Sequence, residues 1–224
     1  MQFMLRDDLY FCKNADAVIL LDTRIGRYSA LPGVFVGAFS RYIDGCQLSS
    51  DDLQILGQLA QQGILVGAAD QPQRLNSKFE PLPSPEVEIG YADRLPSFSL
   101  AVSAITSRLI WTWRVRHQSF SSLIDRIKKV RSRPSRGTGK RSTRDLGRLA
   151  NAFRFADLLL GSHDCCLPRS LALVATARKY GLNPVLVIGI QVAPFAAHCW
   201  VQDGNVVANE SPDRAQMFTP ILVA

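Results

Sequence analysis

Cys166 and His198 are the two residues of this chain whose types and settings most clearly indicate chemistry. Cys166 stands in residues 164–170, Asp-Cys-Cys-Leu-Pro-Arg-Ser, which open a helix-like run. His198 stands in residues 197–201, Ala-His-Cys-Trp-Val, which have the composition of a strand. An imidazole beside a thiol takes up its proton, and the resulting thiolate attacks acyl carbonyls. If the helix start and the strand meet, the two side chains can cleave or transfer acyl groups.

The position of Pro168 indicates where the thiols lie. Proline has no N–H, so Pro168 must lie in the first turn of its helix or kink it. Cys165 and Cys166 then lie at the helix N-terminus, with Asp164 as a plausible cap. Free N–H groups and the helix dipole stabilise a thiolate there and lower its pKa. The alternative is that both cysteines are small buried apolar residues without a chemical role.

A third side chain should orient the histidine ring, and four polar residues downstream of His198 are candidates: Asp203, Asn209, Glu210 and Asp213. Asp203-Gly204 reads as a tight two-residue turn, which pairs His198 with Asn209 across a hairpin. A single bulge would bring Glu210 round instead. Asp203 itself is more typical of a turn residue. Register thus favours Asn209, with Glu210 as its rival.

The elements that must position this pair follow from hydrophobic periodicity and from turn residues. The helix that begins at Cys166 should end near Tyr180, before Gly181. The strands predicted after it are Pro184–Ile190, Phe195–Gln202 and Asn205–Ala208. The helices predicted before it are 98–116, 120–131, and one from Ser142 or Thr143 to about Leu160.

The N-terminal part of the sequence predicts a small β-β-β-α-α unit of about 67 residues. Its strands are Leu9–Cys12, Ala17–Asp22 and Arg27–Leu31. The first helix begins at Pro32 and reaches about Tyr42, because proline suits a first helical turn. The second begins at residues 49–52 and ends at Gly63, and residues 64–66 could add a short closing strand.

Prolines concentrate between these two parts, within residues 68–97. Proline removes backbone donors, so this stretch is predicted to connect rather than to build a core. The organisation predicted is therefore an α+β chain with an N-terminal module at 1–70, a Pro-rich linker at 71–97 and a second domain at 98–224.

The net charge of +7 is local to one segment. Residues 126–148 contain ten Lys or Arg and one acid, which is +9, so the remainder carries about −2. A solvated linker or helix face is the simplest interpretation of such a run. Aromatic residues are not interleaved with these charges, as stacking on bases would require, so no nucleic-acid partner is expected.

Cysteine and hydropathy patterns limit the remaining classes. Five cysteines without repeated Cys-x-x-Cys pairs support neither a disulfide framework nor a zinc site. A His163–Cys165–Cys166 metal site is conceivable, but adjacent cysteines chelate poorly and no fourth ligand is apparent. The N-terminus lacks a signal-peptide pattern, and no uncharged apolar run reaches membrane-spanning length. We therefore expect no metal, no membrane association and a cytoplasmic location.

Residues 164–222 resemble the lasso peptide biosynthesis B protein, the leader peptidase of lasso peptide maturation. The matching motifs are Cys-Leu-x-x-Ser-x-Ala-Leu at 166–173, Leu-Val-Ile-Gly-Ile at 186–190, Pro-Phe-x-x-His-x-Trp-Val at 194–201 and Asn-Glu-x-Pro at 209–212. The resemblance implies a papain-like or transglutaminase-like cysteine protease domain with a Cys-His-Asp triad. Cys166 would then be the nucleophile and His198 the base. The family's aspartate falls on Glu210, which is one methylene longer, and Asn209 remains the rival on register.

The N-terminal unit resembles the leader-recognition element of peptide-modifying enzymes, a small winged-helix module. This resemblance implies that the leader peptide adds a strand to the third predicted strand. The implied leader-binding residues are Arg27, Tyr28, Ser29, Ala30 and Leu31. Edge pairing would supply affinity, and pockets for side chains would supply selectivity.

The activity implied is cleavage of the leader from a lasso precursor before macrocyclisation. No cofactor is expected, because the sequence has no glycine-rich loop that could cradle phosphates. Any ATP dependence would come through the partner implied by the family, the lasso cyclase. Two alternatives remain open: a non-catalytic adaptor that delivers a precursor to another enzyme, and a thiol-dependent acyl transferase.

Overall fold

A computed structural model describes residues 3–14, 17–67, 82–90, 95–131, 140–161 and 165–224. The chain divides into two compact units, Met1–Glu80 and Pro81–Ala224, which we call the N-terminal unit and the C-terminal unit. Both units contain helices and strands, so the predicted mixture of α and β structure is confirmed.

The N-terminal unit contains the three strands and two helices that the sequence predicts, with bounds that agree to within two residues. In chain order its described elements are β1 (Phe3–Leu5), β2 (Leu9–Asn14), β3 (Ala17–Asp22), β4 (Arg27–Ala30), α1 (Gly33–Ile43), α2 (Ser50–Gln61) and β5 (Leu65–Gly67). β2, β3 and β4 form an antiparallel sheet in that order, and β1 pairs with β5. β1 is absent from the sequence prediction because a three-residue strand carries too little periodicity.

Apolar side chains of the helices and strands form the core of this unit. Phe11 of β2 meets Phe39 of α1 edge to face, with ring centroids 5.4 Å apart. Leu56 and Leu59 of α2 are fully buried in the same cluster. Ser49 caps α2 through reciprocal hydrogen bonds with Asp52, the pattern of a capping box.

Among the described residues, β4 is one of the two edge strands of the three-stranded sheet, because it pairs with β3 and lies at one end of the strand order, opposite β2. Leu31 lies just beyond β4, is buried, and donates its N–H to the Val18 carbonyl at 2.8 Å. Alternate residues of an antiparallel strand face opposite neighbours. Since Leu31 bonds toward β3, the backbone N–H of Ala30 faces away from β3.

The C-terminal unit consists of one sheet and a group of helices. Its described elements are β6 (Val87–Glu88), α3 (Phe98–His117), α4 (Phe120–Arg131), α5 (Lys140–Leu160), α6 (Cys166–Lys179), β7 (Val185–Gln191), β8 (Ala196–Asp203), β9 (Val206–Val207), α7 (Pro212–Gln216) and β10 (Thr219–Val223). The strand order is β10-β7-β8-β9-β6. β7 is buried along almost its whole length, as its continuous apolar sequence predicts.

Helix α6 packs against β8 and against α3 and α5, so it lies between the sheet and the other helices. A buried ion-pair network joins the three helices. Asp157 of α5 accepts from Arg108 of α3 at 3.0 Å and from Arg169 of α6 at 2.8 Å. At the far end of α6, the buried Arg178 donates to the carbonyls of Ile127, Pro184 and Ala224. These contacts hold α6 at both of its ends.

The hairpin between β8 and β9 differs from the prediction. Asp203 pairs with Val206 and Gln202 with Val207, so the two-residue loop is Gly204-Asn205 and not Asp203-Gly204. Gly204 has a φ of +61°, and a glycine accepts that conformation in the first loop position without a steric cost. The register is therefore displaced by two residues, and the predicted pairing of His198 with Asn209 is wrong.

Part of the Pro-rich stretch also differs from a simple connection. β6 pairs in parallel with β9, and Ile89 is buried. Carbonyl groups of proline still accept hydrogen bonds, and Pro83 accepts one from Gln202 at 2.8 Å. Most of the predicted linker lies outside the described residues, but this segment adds an edge strand to the sheet.

Candidate active site

Cys166 is the first residue of α6, as Pro168 predicts. Cys165 precedes the helix with a φ of −117°, and its carbonyl accepts the first-turn bond from the Arg169 N–H at 3.1 Å. The Cys165 side chain makes no capping hydrogen bond, and Asp164, the predicted cap, lies outside the described residues. Cys166 is partly exposed.

His198 lies on β8 and is bound to Glu210. The histidine is 8% exposed. Its Nε2 lies 2.7 Å from Oε2 of Glu210, whose other carboxylate oxygen accepts from the Ser211 N–H at 3.0 Å. With Nε2 engaged in this way, Nδ1 is the ring nitrogen left for the hydrogen bond to Cys166.

The surroundings of Cys166 favour its thiolate. The pKa of Cys166 is lowered from 9.0 to about 4, with a hydrogen bond from the Cys199 thiol as the largest cause. Burial opposes this shift, while the hydrogen bond and charge of His198 and the Cys199 backbone N–H add to it. A pKa of about 4 means that the Cys166 thiolate is the favoured form at neutral pH.

The imidazole of His198 is correspondingly protonated. Burial alone would lower its pKa, but the hydrogen bonds and charges of Cys166 and Glu210 outweigh burial and raise the pKa from 6.5 to about 9. The pKa of Glu210 is lowered: burial opposes the shift, and the hydrogen bonds of His198 and Ser211 outweigh it. The site is thus a thiolate, an imidazolium and a carboxylate in sequence, which is suited to nucleophilic catalysis.

Cys199 is a site residue that sequence reasoning missed. Full burial and the neighbouring Cys166 charge raise the pKa of Cys199 well above 9.0, so it stays a thiol and can donate. All five cysteines of the chain lie among the described residues and are outside any disulfide bond. Alternation along a strand places Cys199 and His198 on opposite faces, so the sequence did not indicate that both would contact Cys166. The adjacency of the two in Ala-His-Cys-Trp was the only available signal.

Aromatic rings enclose His198. The Phe218 ring lies 5.3 Å from the imidazole, centroid to centroid, and the Trp200 ring lies 6.5 Å away and nearly parallel. Gly189 of β7 stands opposite His198 in the ladder. A Cβ on Gly189 would come within 2.8 Å of Phe218 and 2.9 Å of Trp200. Glycine at this position therefore lets the two rings lie over the strand.

Of the four candidates for the residue that orients His198, one contacts the imidazole. Glu210 reaches His198. Asn209 instead accepts from the Val201 N–H through Oδ1 at 2.8 Å and donates from Nδ2 to Ser170 at 2.9 Å. Asp203 lies at the end of the hairpin, and Asp213 lies in the first turn of α7. Backbone pairing with β8 extends through Ala208, whose N–H donates to the Val201 carbonyl at 2.9 Å, and Glu210 follows this pairing by two residues.

Within the described residues, no group of three or more His, Cys, Asp or Glu side chains is placed to hold a metal ion. His163, a member of the conceivable metal site, lies outside them. The helices of the described part also include none that is long and apolar enough to cross a membrane.

The profile of the transglutaminase-like superfamily matches residues 109–223, just over half of the 224 residues. The chain belongs to the transglutaminase-like superfamily. This superfamily includes cysteine proteases and acyltransferases. The transglutaminase-like match begins inside α3, ends in β10 and includes Cys166, His198 and Glu210. No curated protein and no solved structure matches the chain.

Proposed function

We propose that this protein is a cysteine endopeptidase that binds the leader of a lasso precursor peptide and cleaves it from the core before macrocyclisation. The observation that carries the proposal is the placement of Cys166 at the start of α6 and of His198 on β8, with Nε2 of His198 2.7 Å from Oε2 of Glu210. The lowered pKa of Cys166 and the raised pKa of His198 agree with this arrangement. Membership of the transglutaminase-like superfamily supports the reaction class. The choice of a lasso precursor rests on the resemblance of residues 164–222.

In the first half of the reaction, the Cys166 thiolate adds to the carbonyl carbon at the leader–core junction. The carbonyl electron pair moves to oxygen, and the Cys166 backbone N–H at the helix start is a donor suited to that oxyanion. The oxyanion then collapses, the peptide C–N bond breaks, and His198 gives its proton to the departing core amine. A thioester between the leader and Cys166 remains.

In the second half, water replaces the core amine. The now neutral His198 takes a proton from water, and the hydroxide formed adds to the thioester carbonyl. Collapse of this intermediate expels the Cys166 thiolate and releases the leader as a free acid. His198 is again an imidazolium, and its charge is balanced by Glu210 throughout.

We propose that the N-terminal unit recognises the leader as a winged-helix-like module. β4 is an edge strand, and the N–H of Ala30 faces its open side. An extended peptide could therefore pair with residues 27–31 and extend the antiparallel sheet. We propose that the protein acts in the cytoplasm and that its partners are the leader of the precursor and a lasso cyclase. Any ATP dependence would arise through that cyclase.

The proposal is tested by incubating the protein with a lasso precursor peptide and measuring product masses. Cys166→Ala should abolish cleavage, because no other group replaces the thiolate, and should leave leader binding unchanged. Cys165→Ala is the matched control, since the neighbouring thiol lies outside the helix and should be dispensable. Undiminished cleavage by Cys166→Ala contradicts the proposal.

The products also separate the alternatives. A leader ending in a free carboxylic acid supports hydrolysis, whereas a leader joined to an amine would indicate acyl transfer from the same thioester. Leader binding without any product, together with a Cys166 that reacts with iodoacetamide no faster than the exposed Cys46, would indicate a non-catalytic adaptor.

A further inference from the structure

A series of hydrogen bonds joins α6, β8 and the segment that carries Glu210 through the buried Ser170. Ser170 lies on α6 four residues after Cys166 and is 0% exposed. Its hydroxyl donates to the carbonyl of Cys199 on β8 at 3.1 Å. The same oxygen accepts from Nδ2 of Asn209 at 2.9 Å. One hydroxyl therefore links α6 to β8 and to the segment that carries Glu210.

Both polar atoms of the Asn209 side-chain amide form hydrogen bonds in this series. Its Oδ1 accepts from the backbone N–H of Val201 on β8 at 2.8 Å, while its Nδ2 donates to Ser170. The orientation of the amide is fixed by the partners, because a backbone N–H can only donate. The backbone carbonyl of Asn209 also faces the guanidinium of Arg169 on α6, at 3.5 Å. Asn209 is thus tied to the strand and to the helix at once.

The residues joined by these hydrogen bonds lie close in sequence to Cys166, His198 and Glu210. Cys199 follows His198, Asn209 precedes Glu210, and Ser170 lies about one helical turn from Cys166. We infer that Ser170 and Asn209 are positioning residues, which hold the start of α6, the histidine strand and the Glu210 segment in the alignment that the reaction requires. The inference rests on the proposed function, because it concerns the reactivity of Cys166.

A displacement of about 1 Å between reacting groups can cost about 100-fold in rate. Removing the Ser170 hydroxyl leaves the Cys199 carbonyl and Nδ2 of Asn209 without that partner, and removing the Asn209 amide takes the acceptor from the Val201 N–H, so the segments are expected to relax apart. The contact of His198 with Cys166 lengthens as they do, and the thiolate loses part of its stabilisation. A stabilising role alone would change the unfolding free energy and leave the titration of Cys166 in the folded protein unchanged.

The test measures alkylation of Cys166 by iodoacetamide against pH, in the full-length protein, with peptide mass spectrometry to resolve each cysteine. The variants are Ser170→Ala, Asn209→Ala and the double variant, and the exposed Cys46 is the internal reference for an ordinary thiol. Each single variant should raise the pH midpoint of Cys166 by about one unit, the equivalent of ten-fold in thiolate stability. The double variant should add little to either, because both act through one chain.

Thr176→Ala is the matched control. Thr176 is also a buried hydroxyl of α6, 2% exposed, and it donates to the Ser107 hydroxyl at 2.9 Å, away from the site. It should lose a similar unfolding free energy in urea while keeping the wild-type titration of Cys166. Asn209→Asp provides a second test if Asn209→Ala does not fold, since the aspartate keeps an acceptor for Val201 but no donor for Ser170.

The outcomes distinguish the positioning role of Ser170 and Asn209 from the proposed function. If the Cys166 profiles of the Ser170 and Asn209 variants match that of Thr176→Ala, the positioning role is overturned and the proposed function is unaffected. If the profiles shift but wild-type protein cleaves no precursor, positioning stands and the substrate is wrong. If wild-type Cys166 reacts like Cys46, both claims are overturned.

Discussion

At the scale of the residue, the reactivity of Cys166 depends on what donates to its sulfur. The sequence points to the helix start as the source of thiolate stabilisation, through the dipole and a cap. The structure adds a more specific cause of the lowered pKa, the thiol of Cys199. A thiol held protonated by burial is a fixed donor, so this contact persists across the working pH range.

Cys199→Ala should therefore raise the pKa of Cys166 from about 4 toward its ordinary value of 9.0. A lowered pKa means that the thiolate is present above that pKa and lost below it, so the acid limb of the alkylation rate moves to higher pH. Cys199→Ser, which keeps a donor, is the control and should shift the limb less. An unchanged limb in Cys199→Ala would show that this thiol does not stabilise the thiolate.

Glu210→Gln tests the third position. The raised pKa of His198 means that the imidazolium is present below about pH 9 and lost above it. Without the Glu210 charge that pKa falls, so the alkaline limb of kcat/KM moves to lower pH, and kcat falls by about 100-fold or more. Glu210→Asp is the companion variant: its side chain is one methylene shorter, so it tests whether the length of glutamate is needed to contact His198. Wild-type kcat in Glu210→Gln would contradict this role.

At the scale of the element, the pairing of β7 with β8 decides how His198 is enclosed. β8 carries His198 and Trp200 at alternate positions, so both rings lie on one face. Gly189 pairs with His198 and leaves that face open for Trp200 and Phe218. The glycine of the Leu-Val-Ile-Gly-Ile run is thus explained by the close packing of Trp200 and Phe218, whose rings lie beside His198.

Gly189→Ala should destabilise the protein by about 1–3 kcal/mol, because the added Cβ meets ring and Cβ atoms that cannot both retreat in a packed core. Displacement of the Trp200 and Phe218 rings should also move His198, and alkylation of Cys166 should then be slower. Gly90→Ala is the control, since a Cβ there meets nothing within 4 Å. Urea unfolding measures the change, and equal stability of the two variants would refute the packing argument.

At the scale of the whole molecule, the two compact units divide the proposed work. The N-terminal unit presents an edge strand, and the C-terminal unit contains the complete thiolate–imidazolium–carboxylate arrangement. Binding and cleavage should therefore be separable by substitution. A change confined to the edge of β4 should alter recognition of the leader and leave the chemistry at Cys166 intact.

Ala30→Pro is the sharpest such change. Proline removes the N–H that faces the open edge and leaves the ladder bonds to β3 in place, as proline is tolerated on edge strands. Loss of one hydrogen bond should weaken leader binding by about ten-fold. Ala30→Ser, which keeps the N–H, should bind normally. Calorimetry with leader peptide measures the affinity, and an affinity equal to that of wild type would contradict strand addition at this edge.

Local patterns determined much of this protein. Pro168 located the start of α6, and the periodic leucines and Phe153 located the buried face of α5. Apolar runs bounded by turns located β2, β3, β7 and β8. These features are predictable because they depend on backbone geometry and side-chain periodicity within one element.

Only the tertiary structure decided the partners around Cys166 and His198. The hairpin loop is Gly204-Asn205, so the pairing of β8 with β9 differs by two residues from the predicted register. In the structure Glu210 contacts the imidazole of His198, and Asn209 donates to Ser170. Cys199 became a donor to Cys166 although strand alternation separates it from His198. The sequence by itself singled out Cys166 and His198 as the candidate nucleophile and base. Their partners depend on register and on packing between elements distant in sequence, which no local pattern encodes.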